Sequence, residues 1–302
     1  MTTDNPEDDM KTLISAIVAA AAPFAVALPA AAQPVAAGSG APNVGVFAEP
    51  CAHVDPMPAD VAAYFAAALK ARAEKVTPPA PTAEQLATYR SWQARVLQQD
   101  FAQHCKYAAA NAALPAPGDH RVVYFGDSIT ELWGLNDPAF FGNDVINRGI
   151  SGQTTAQMIG RFRADVIDLG PRVVHIIAGT NDVAGNTGPT SIDRIVGNIA
   201  SMVELARAHG IAVVLGSELP CAGYVMQPAI QPAATLAEIN RRLRALAEKE
   251  HLTFVDYFTP LADADAAFNP RLSDDGLHPT AAGYAVMAPL ARAAVASALA
   301  HK

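Results

Sequence analysis

The segment Val122-Val123-Tyr124-Phe125-Gly126-Asp127-Ser128 is an apolar run that ends sharply in a turn of small and polar residues. An apolar run without alternating polar residues is typical of a strand buried on both faces of a parallel sheet. Beyond it, short apolar segments alternate with longer helical patterns. The predicted strands cover residues 121–125, 145–148, 173–178, 211–217 and 253–256.

Helical periodicity follows most of these strands. The predicted helices cover about 154–168, 191–208, 233–249 and 280–298. Strands that alternate with helices pair in parallel through right-handed crossovers, and the helices cover both faces of the sheet. We therefore predict that residues 119–302 form one α/β domain, a three-layer α/β/α sandwich with a five-stranded parallel sheet. Ligands of such domains bind at the carboxyl ends of the strands.

A helical N-terminal segment, residues 51–118, is predicted to precede this domain and to pack on it as a scaffold. Its first helical pattern covers residues 58–75. Thr82 and Gln85 have the spacing of a capping box, which predicts that a second helix begins there. One face of this second helix is expected to carry Leu86, Tyr89, Val96 and Phe101. Residues 33–50, rich in Pro, Ala and Gly, are interpreted as a linker.

Residues 1–32 have the pattern of an export signal. Lys11 precedes the apolar stretch 13–28, and Ala30-Ala31-Ala32 matches a small-residue cleavage site. The acidic residues before Lys11 are unusual for a signal, so Met10 is an alternative start. A retained membrane anchor is the other interpretation of this stretch, but its prolines and the cleavage pattern favour removal. We expect a periplasmic or secreted protein without a stable membrane span.

The composition of the chain argues against several classes of binding partner. The 302 residues have a net charge of −8, which argues against nucleic-acid binding because such binding needs a basic surface. None of the three cysteines has the spacing of a zinc site, and no nucleotide-binding glycine motif occurs, so we expect no metal and no cofactor. Cys51 and Cys105 could form a disulfide or remain free; Cys221 would then be unpaired.

Ser128 is a candidate nucleophile at the end of the first predicted strand. Serine followed three residues later by Glu131 is also a capping box, so Ser128 could simply begin a helix. The two interpretations are compatible, because the N-terminus of a helix favours negative charge on an oxygen beside it.

The segment Asp275-Gly276-Leu277-His278-Pro279 supplies a candidate base and acid. A carboxylate three residues before a histidine can accept a hydrogen bond from Nδ1–H, which leaves Nε2 free to accept a proton from a hydroxyl. Asp274 is an alternative acid, and a solvated loop histidine is the alternative interpretation of His278. Hydroxyl, base and acid together are the groups that nucleophilic acyl transfer requires.

Gly152 and Asn181 are candidate hydrogen-bond donors for a developing oxyanion. Glycine can present its backbone N–H at close range, and asparagine can present its side-chain amide. Both are also ordinary turn residues, and this alternative stays open for each. His175 lies within an apolar run and is interpreted as a core residue, and Ser151 has no base near it in sequence. Trp133 could line a substrate pocket or pack beneath it.

The four loop segments together resemble the signature blocks of the SGNH, or GDSL-type, serine esterase superfamily. These blocks are Gly126-Asp127-Ser128-Ile129-Thr130, Asn147-Arg148-Gly149-Ile150-Ser151-Gly152, Gly179-Thr180-Asn181-Asp182 and Asp275-Gly276-Leu277-His278-Pro279. The resemblance implies a flavodoxin-like five-stranded sheet, with Ser128 as nucleophile, His278 as base and Asp275 as its partner. It also implies an oxyanion hole formed by the backbone N–H groups of Ser128 and Gly152 and the amide of Asn181.

This resemblance makes an exported serine hydrolase the expected function. Its substrate would be a small carboxylic ester or an acylated glycan, with a short acyl group such as acetyl, cleaved through an acyl-enzyme intermediate. Two alternatives use the same fold. One is a polysaccharide O-acetyl esterase or acyltransferase, and the other is a non-catalytic protein that binds envelope glycans. The oligomeric state does not follow from the sequence.

Overall fold

The computed structural model describes residues 45–300 apart from 74–75, 77–79, 143 and 225–226. The predicted export signal, residues 1–32, lies outside the described residues, as does the linker up to residue 44.

Five parallel strands form the central sheet of the described chain. They are β1 Val122–Gly126, β2 Val145–Gly149, β3 Val173–Ile177, β4 Ala212–Gly216 and β5 Thr253–Val255. Their order in the sheet is β2-β1-β3-β4-β5, and every neighbouring pair is parallel. This is the flavodoxin-like order, so the predicted fold class is confirmed. Each predicted strand end lies within one residue of the observed end.

The helices lie on both faces of this sheet, as predicted. In chain order they are α1 Ala59–Ala73, α2 Ala83–Gln99, α3 Ala108–Ala112, α4 Ser128–Asn136, α5 Thr155–Asp165, α6 Thr180–Val183, α7 Ile192–Ala208, α8 Ala233–Lys249, α9 Phe258–Leu261 and α10 Ala281–Ala300. Side chains of α5, α7 and α8 pack on one face, with Val123 and Phe125 of β1. Those of α4 and α10 pack on the other, with Val122 and Tyr124. Successive side chains of β1 therefore contribute to two apolar cores, one on each face of the sheet.

Helix α10 is long and apolar enough to cross a membrane by length and composition alone. Its residues Tyr284, Met287 and Ala291 are fully buried in the core against the sheet. Tyr284 also donates its hydroxyl hydrogen to the carbonyl oxygen of Ile129 in α4, at 2.8 Å. Within the described chain, α10 is a core helix whose apolar character is explained by its packing.

The N-terminal segment has a small core of its own. Val61, Phe65 and Tyr89 are buried between α1 and α2. The predicted capping box at the start of α2 is present, since Thr82 and Gln85 exchange both of its hydrogen bonds. The placement of Phe101 on this helix was wrong. Helix α2 ends at Gln99, and Phe101 lies beyond it with its side chain exposed.

The chain turns after α2 because Asp100 provides new partners for the backbone. Its carboxylate accepts hydrogen bonds from the N–H groups of His104 and Cys105, each at 2.9 Å. Cys105 forms a disulfide with Cys51, with their Cα atoms 5.4 Å apart. Cys221 is a buried free thiol. The disulfide fixes the start of the N-terminal segment to the turn that follows α2.

A buried arginine of α5 joins the ends of two strands. Arg161 is fully buried and donates hydrogen bonds to the carbonyl oxygens of Gly126 and Arg148, at 3.0 and 2.9 Å. It also donates to the side-chain oxygen of Gln153 at 2.5 Å. Its charge is balanced by Asp165, which is also fully buried, at 3.0 Å. Arg161 thereby fixes the ends of β1 and β2, from which two of the signature loops begin.

Replacing Arg161 with Met should lower the free energy of unfolding by about 3–5 kcal/mol, because it leaves the Asp165 carboxylate buried without its cation. Arg163, two residues further along α5, is the matched control. It pairs with Asp168 in solvent, with 62% of its side chain exposed, so Arg163→Met should cost at most about 1 kcal/mol. Urea unfolding of both variants measures the difference. Equal losses of stability in the two variants would show that the buried pair of Arg161 and Asp165 stabilises the fold no more than the exposed pair.

Candidate active site

The turn after β1 fixes the position of Ser128. Gly126 is required there, because a Cβ atom at this residue would lie 2.8 Å from the carbonyl oxygen of Ile177. Asp127 caps α4, its Oδ1 accepting a hydrogen bond from the N–H of Ile129 at 2.9 Å. The interpretation of Ser128 and Glu131 as a capping box was therefore wrong. Ser128 is the first residue of the helix, and its hydroxyl is not used for capping.

The hydroxyl of Ser128 instead faces a histidine from the other end of the domain. His278 Nε2 lies 2.9 Å from Ser128 Oγ, and His278 Nδ1 lies 2.8 Å from Asp275 Oδ2. The other carboxylate oxygen, Oδ1, accepts hydrogen bonds from the N–H groups of Leu277 and His278, at 3.0 and 2.7 Å. Asp274, the alternative acid, points to solvent. The structure thus brings Ser128, His278 and Asp275 into one chain of hydrogen bonds.

The charge of Asp275 determines which ring nitrogen of His278 carries the hydrogen. Burial would raise the pKa of this carboxyl, but the charge of His278 and the hydrogen bonds from His278 and Leu277 hold the pKa below its ordinary value. An ionised Asp275 can only accept hydrogen bonds, so Nδ1 of His278 carries hydrogen. Nε2 is then the acceptor for the hydroxyl of Ser128, as nucleophilic attack requires.

The two candidate oxyanion donors lie on neighbouring loops that one side chain connects. Gly152 has a positive φ of 78°, a conformation that favours glycine. Asn186 donates its amide hydrogens to the carbonyl oxygen of Gly152 and to Oδ1 of Asn181, each at 3.0 Å. Asn181 in turn donates to Oδ2 of Asp127 at 3.1 Å, which leaves its second amide hydrogen for a ligand. The sequence contains no signal that singles out Asn186.

A comparison with protein families identifies the group to which this arrangement belongs. The model of the GDSL-like lipase/acylhydrolase family matches residues 124–286, more than half of the chain and all four loops of the site. The chain belongs to this family. The predicted resemblance is thereby confirmed, and the family is one of ester hydrolases that act through a serine.

One solved structure is particularly similar. The GDSL-like lipase of Bacteroides thetaiotaomicron shares 46% sequence identity and superposes with a TM-score of 0.64, which covers 66% of this chain and 100% of that one.

Three further relatives match shorter parts of this chain. The lipoprotein YqeF of Bacillus subtilis is 36% identical over 34% of this chain, and the match spans about half of its own length, 50%. The esterase TesA of Pseudomonas aeruginosa is 31% identical over 53% of this chain and 80% of its own. The acetylxylan esterase of Geobacillus stearothermophilus is 26% identical over 49% of this chain and 69% of its own.

Two further polar contacts stiffen the site in this GDSL-like protein, and the sequence analysis found neither. Asp182, directly after Asn181, accepts hydrogen bonds from the N–H and hydroxyl of Thr155, at 2.8 and 2.6 Å. Asn198 of α7 donates to the same hydroxyl at 3.0 Å. These contacts tie the Asn181 loop to the first residue of α5, so the loops that carry Gly152 and Asn181 are joined at two places.

Three other sequence interpretations are resolved by the structure. His175 is a core residue as predicted, since its Nε2 lies 2.7 Å from the hydroxyl of Tyr257 and burial lowers its pKa to about 3. Trp133 is fully buried and stacks on Phe140 and Tyr284, so it packs beneath the site. The hydroxyl of Ser151 has no hydrogen-bond partner among the described residues and therefore no base.

In the part of the chain that the structure describes, no group of three or more His, Cys, Asp or Glu side chains is arranged so that it could hold a metal ion. Several of the buried polar groups at the site are carboxyls. Glu218, which follows β4 and was not predicted, lies close enough to Asp127 and Asp182 to be affected by their charges. Glu218 is fully buried against Gly179, where an added Cβ atom would lie 3.2 Å from its Oε1.

This group of carboxyls has unusual proton affinity. Burial raises the pKa of Glu218 well above its ordinary value of 4.5, and the carboxyls of Asp127 and Asp182 raise it further. Burial likewise raises the pKa of Asp127 to about 6, against the opposing effect of the Ile129 N–H. Neither oxygen of Glu218 accepts a close hydrogen bond among the described residues, and the nearby N–H groups of Thr180 and Ala178 lower its pKa less than burial raises it. The folded protein therefore holds a proton on Glu218 at pH values where the unfolded chain has lost it.

Asp275→Asn should lower kcat for p-nitrophenyl acetate by about 10⁴-fold, because an amide favours the wrong tautomer of His278. Asp274→Asn is the matched control. It removes a carboxylate from the same loop, but one that faces solvent, and it should keep wild-type kcat. The reverse result, with the loss at Asp274, would show that the acid has been assigned to the wrong residue.

Glu218→Gln should remove a pH-dependent cost to stability. A carboxyl with a raised folded-state pKa binds more protons in the folded than in the unfolded chain, so stability falls as pH rises above about 4.5. This fall amounts to at most about 1.4 kcal/mol per pH unit. In urea unfolding at pH 5 and pH 8, the variant should gain stability relative to wild type at the higher pH. Glu204→Gln, at an exposed position of α7, controls for the loss of a carboxyl. A stability difference that is the same at both pH values would contradict the assignment.

Proposed function

We propose that the protein is an exported serine hydrolase that cleaves short-chain carboxylic esters through an acyl-enzyme intermediate. One observation carries the proposal. Ser128 Oγ lies 2.9 Å from Nε2 of His278, whose Nδ1 lies 2.8 Å from the ionised carboxylate of Asp275. This geometry provides an activated nucleophile, and membership of the GDSL-like lipase/acylhydrolase family supports its use in ester hydrolysis.

In the first half of the reaction, Ser128 Oγ attacks the ester carbonyl carbon as its proton passes to His278 Nε2. The tetrahedral intermediate collapses when His278 returns that proton to the leaving alcohol, and the acyl group stays on Ser128. In the second half, water gives a proton to His278 and attacks the acyl carbon, and Ser128 leaves with the proton from His278. Asp275 stays ionised and stabilises the imidazolium form in both halves.

The negative oxygen of each tetrahedral intermediate needs hydrogen-bond donors. The backbone N–H groups of Ser128 and Gly152 and the amide of Asn181 are the proposed donors. Ser128 is the first residue of α4, so the positive end of the helix dipole also lies at this oxygen. One such donor contributes about 10²–10³-fold in rate, which makes their placement as important as that of the nucleophile.

A short acyl group is the proposed specificity. The relative from Geobacillus stearothermophilus is named an acetylxylan esterase, and that from Pseudomonas aeruginosa an esterase. The loops around Ser128 consist mainly of small residues. An acetylated glycan is therefore the proposed natural substrate class. Transfer of the acyl group to a sugar hydroxyl would use the same residues, with the sugar in the place of water.

Export is supported by two features of the chain. Residues 1–32 carry the signal pattern, and the disulfide between Cys51 and Cys105 is of the kind that forms and persists in oxidising compartments. A relative from Bacillus subtilis is named a lipoprotein. We infer a periplasmic or secreted location for the mature protein.

Hydrolysis of p-nitrophenyl esters from acetate to palmitate tests the activity and the acyl specificity together. Wild type should prefer acetate, and Ser128→Ala should abolish turnover because it removes the hydroxyl that His278 activates. Ser201→Ala, within α7, controls for the loss of a serine hydroxyl and should keep full activity.

Three results would count against the proposal. A preference for chains beyond about eight carbons would contradict the short acyl group. Activity that survives in Ser128→Ala would contradict the nucleophile. A folded wild type that hydrolyses no ester but binds envelope glycans would instead favour the non-catalytic alternative.

A further inference from the structure

The loop that carries Gly152, residues 149–153, is held from outside the family core. Around Gly152 the loop is open, since an added Cβ atom there would meet only the amide of Asn186, at 3.7 Å. Packing around Gly152 itself therefore leaves its N–H free to move unless the rest of the loop is held. We propose that residues 100–107, the turn after α2, position this part of the oxyanion hole, and that Lys106 is the main positioning residue. The inference rests on the proposed function, because it assigns a catalytic purpose to the N-terminal segment.

The central contact is a bridge through Glu131. One carboxylate oxygen of Glu131 accepts a hydrogen bond from the N–H of Ser151, the residue before Gly152, at 2.6 Å. The other oxygen pairs with the ammonium group of Lys106 at 2.5 Å. The side chain of Glu131 is 2% exposed and that of Lys106 is 17% exposed. Water therefore cannot replace Lys106 as the main partner of this buried carboxylate.

Two more contacts hold the ends of the same loop. The hydroxyl of Tyr107 donates to the carbonyl oxygen of Gly149 at 2.5 Å. The side-chain amide of Gln153 donates to the carbonyl oxygen of Ala102 at 2.9 Å. The loop is thus held directly at its first residue by Tyr107 and at its last residue by Ala102. Its middle is held by Glu131, which in turn pairs with Lys106.

The turn that provides these contacts is itself fixed. The Asp100 carboxylate accepts hydrogen bonds from the N–H groups of His104 and Cys105. The disulfide to Cys51 holds the residue directly before Lys106. A fixed turn can determine the position of a loop, whereas a mobile one could only follow it. The match to the family model begins at residue 124, so residues 100–107 precede the part of the chain that the model matches.

The positioning has a chemical consequence. An oxyanion donor acts only when its N–H lies within about 2.7–3.1 Å of the developing charge. Without Lys106, the Glu131 carboxylate would lose its cation and rearrange, and Ser151 and Gly152 would move with it. Such a shift affects the transition state more than the bound substrate, because the charge on the oxygen develops only during the reaction.

Lys106→Met tests this inference, with Lys106→Arg as the conservative variant and Lys249→Met as the control. Lys249 is a surface lysine at the end of α8 with 78% of its side chain exposed. For p-nitrophenyl acetate, Lys106→Met should lower kcat by about 10–100-fold. Its KM should change much less. Lys106→Arg should restore most of the loss, and Lys249→Met should behave as wild type.

A structural measurement keeps this test independent of the proposed activity. Hydrogen–deuterium exchange of the full-length protein should show faster exchange in the peptide that covers residues 145–160 of Lys106→Met, and wild-type exchange in Lys249→Met. Unchanged kcat and unchanged exchange in Lys106→Met would overturn the inference, as would a loss that appears only in KM. If wild type hydrolyses no ester, the proposed function fails, and the exchange result still decides whether Lys106 holds the loop.

Discussion

The fully buried charge of Arg161 is the constraint on which the site depends. Its guanidinium must satisfy its donors without water, and it finds them at the carbonyl oxygens of Gly126 and Arg148 and the side chain of Gln153. Gly126 precedes the turn to Ser128, and Gln153 follows Gly152. The proposed nucleophile, Ser128, and one proposed oxyanion donor, Gly152, thus each lie close in sequence to a residue that Arg161 holds. A charge that is paired only with Asp165 in the interior tolerates little movement of these partners.

The carboxyl groups around the site have different roles, and the surroundings of each group determine its role. Asp275 receives hydrogen bonds from the backbone and His278 and stays ionised. Asp127 caps α4 and accepts from Asn181, so it links the nucleophile to the second donor loop. Glu131 joins the Gly152 loop to Lys106. Glu218 lacks such partners, and burial therefore favours its protonated form. Whether a carboxyl group is ionised and accepts hydrogen bonds, or is protonated and neutral, thus depends on the donors that the fold places beside it.

The N-terminal segment gains a role in this arrangement. It has a small core of its own between α1 and α2, and its disulfide fixes the turn that contacts the catalytic domain. In the described part of this segment, Tyr107 and Ala102 contact the loop that carries Gly152 directly, and Lys106 contacts it through Glu131. Polar side chains such as Gln153 and Arg148 face this segment and find partners in it, at Ala102 and Asn111. The segment therefore covers these polar groups and also provides their hydrogen-bond partners.

Patterns along the chain were enough to predict the sheet and the helices on both of its faces. They were also enough to select Ser128, Gly152, Asn181, Asp275 and His278 as site candidates. These features depend on apolar periodicity and on short motifs, in which neighbouring residues carry the information. Only the tertiary structure decided that Asp127 rather than Ser128 caps α4, that Glu131 faces the Gly152 loop, and that Asn186, Arg161 and Lys106 support the site. Those partners are far apart along the chain, and their pairing depends on where packing places each side chain, which no local pattern records.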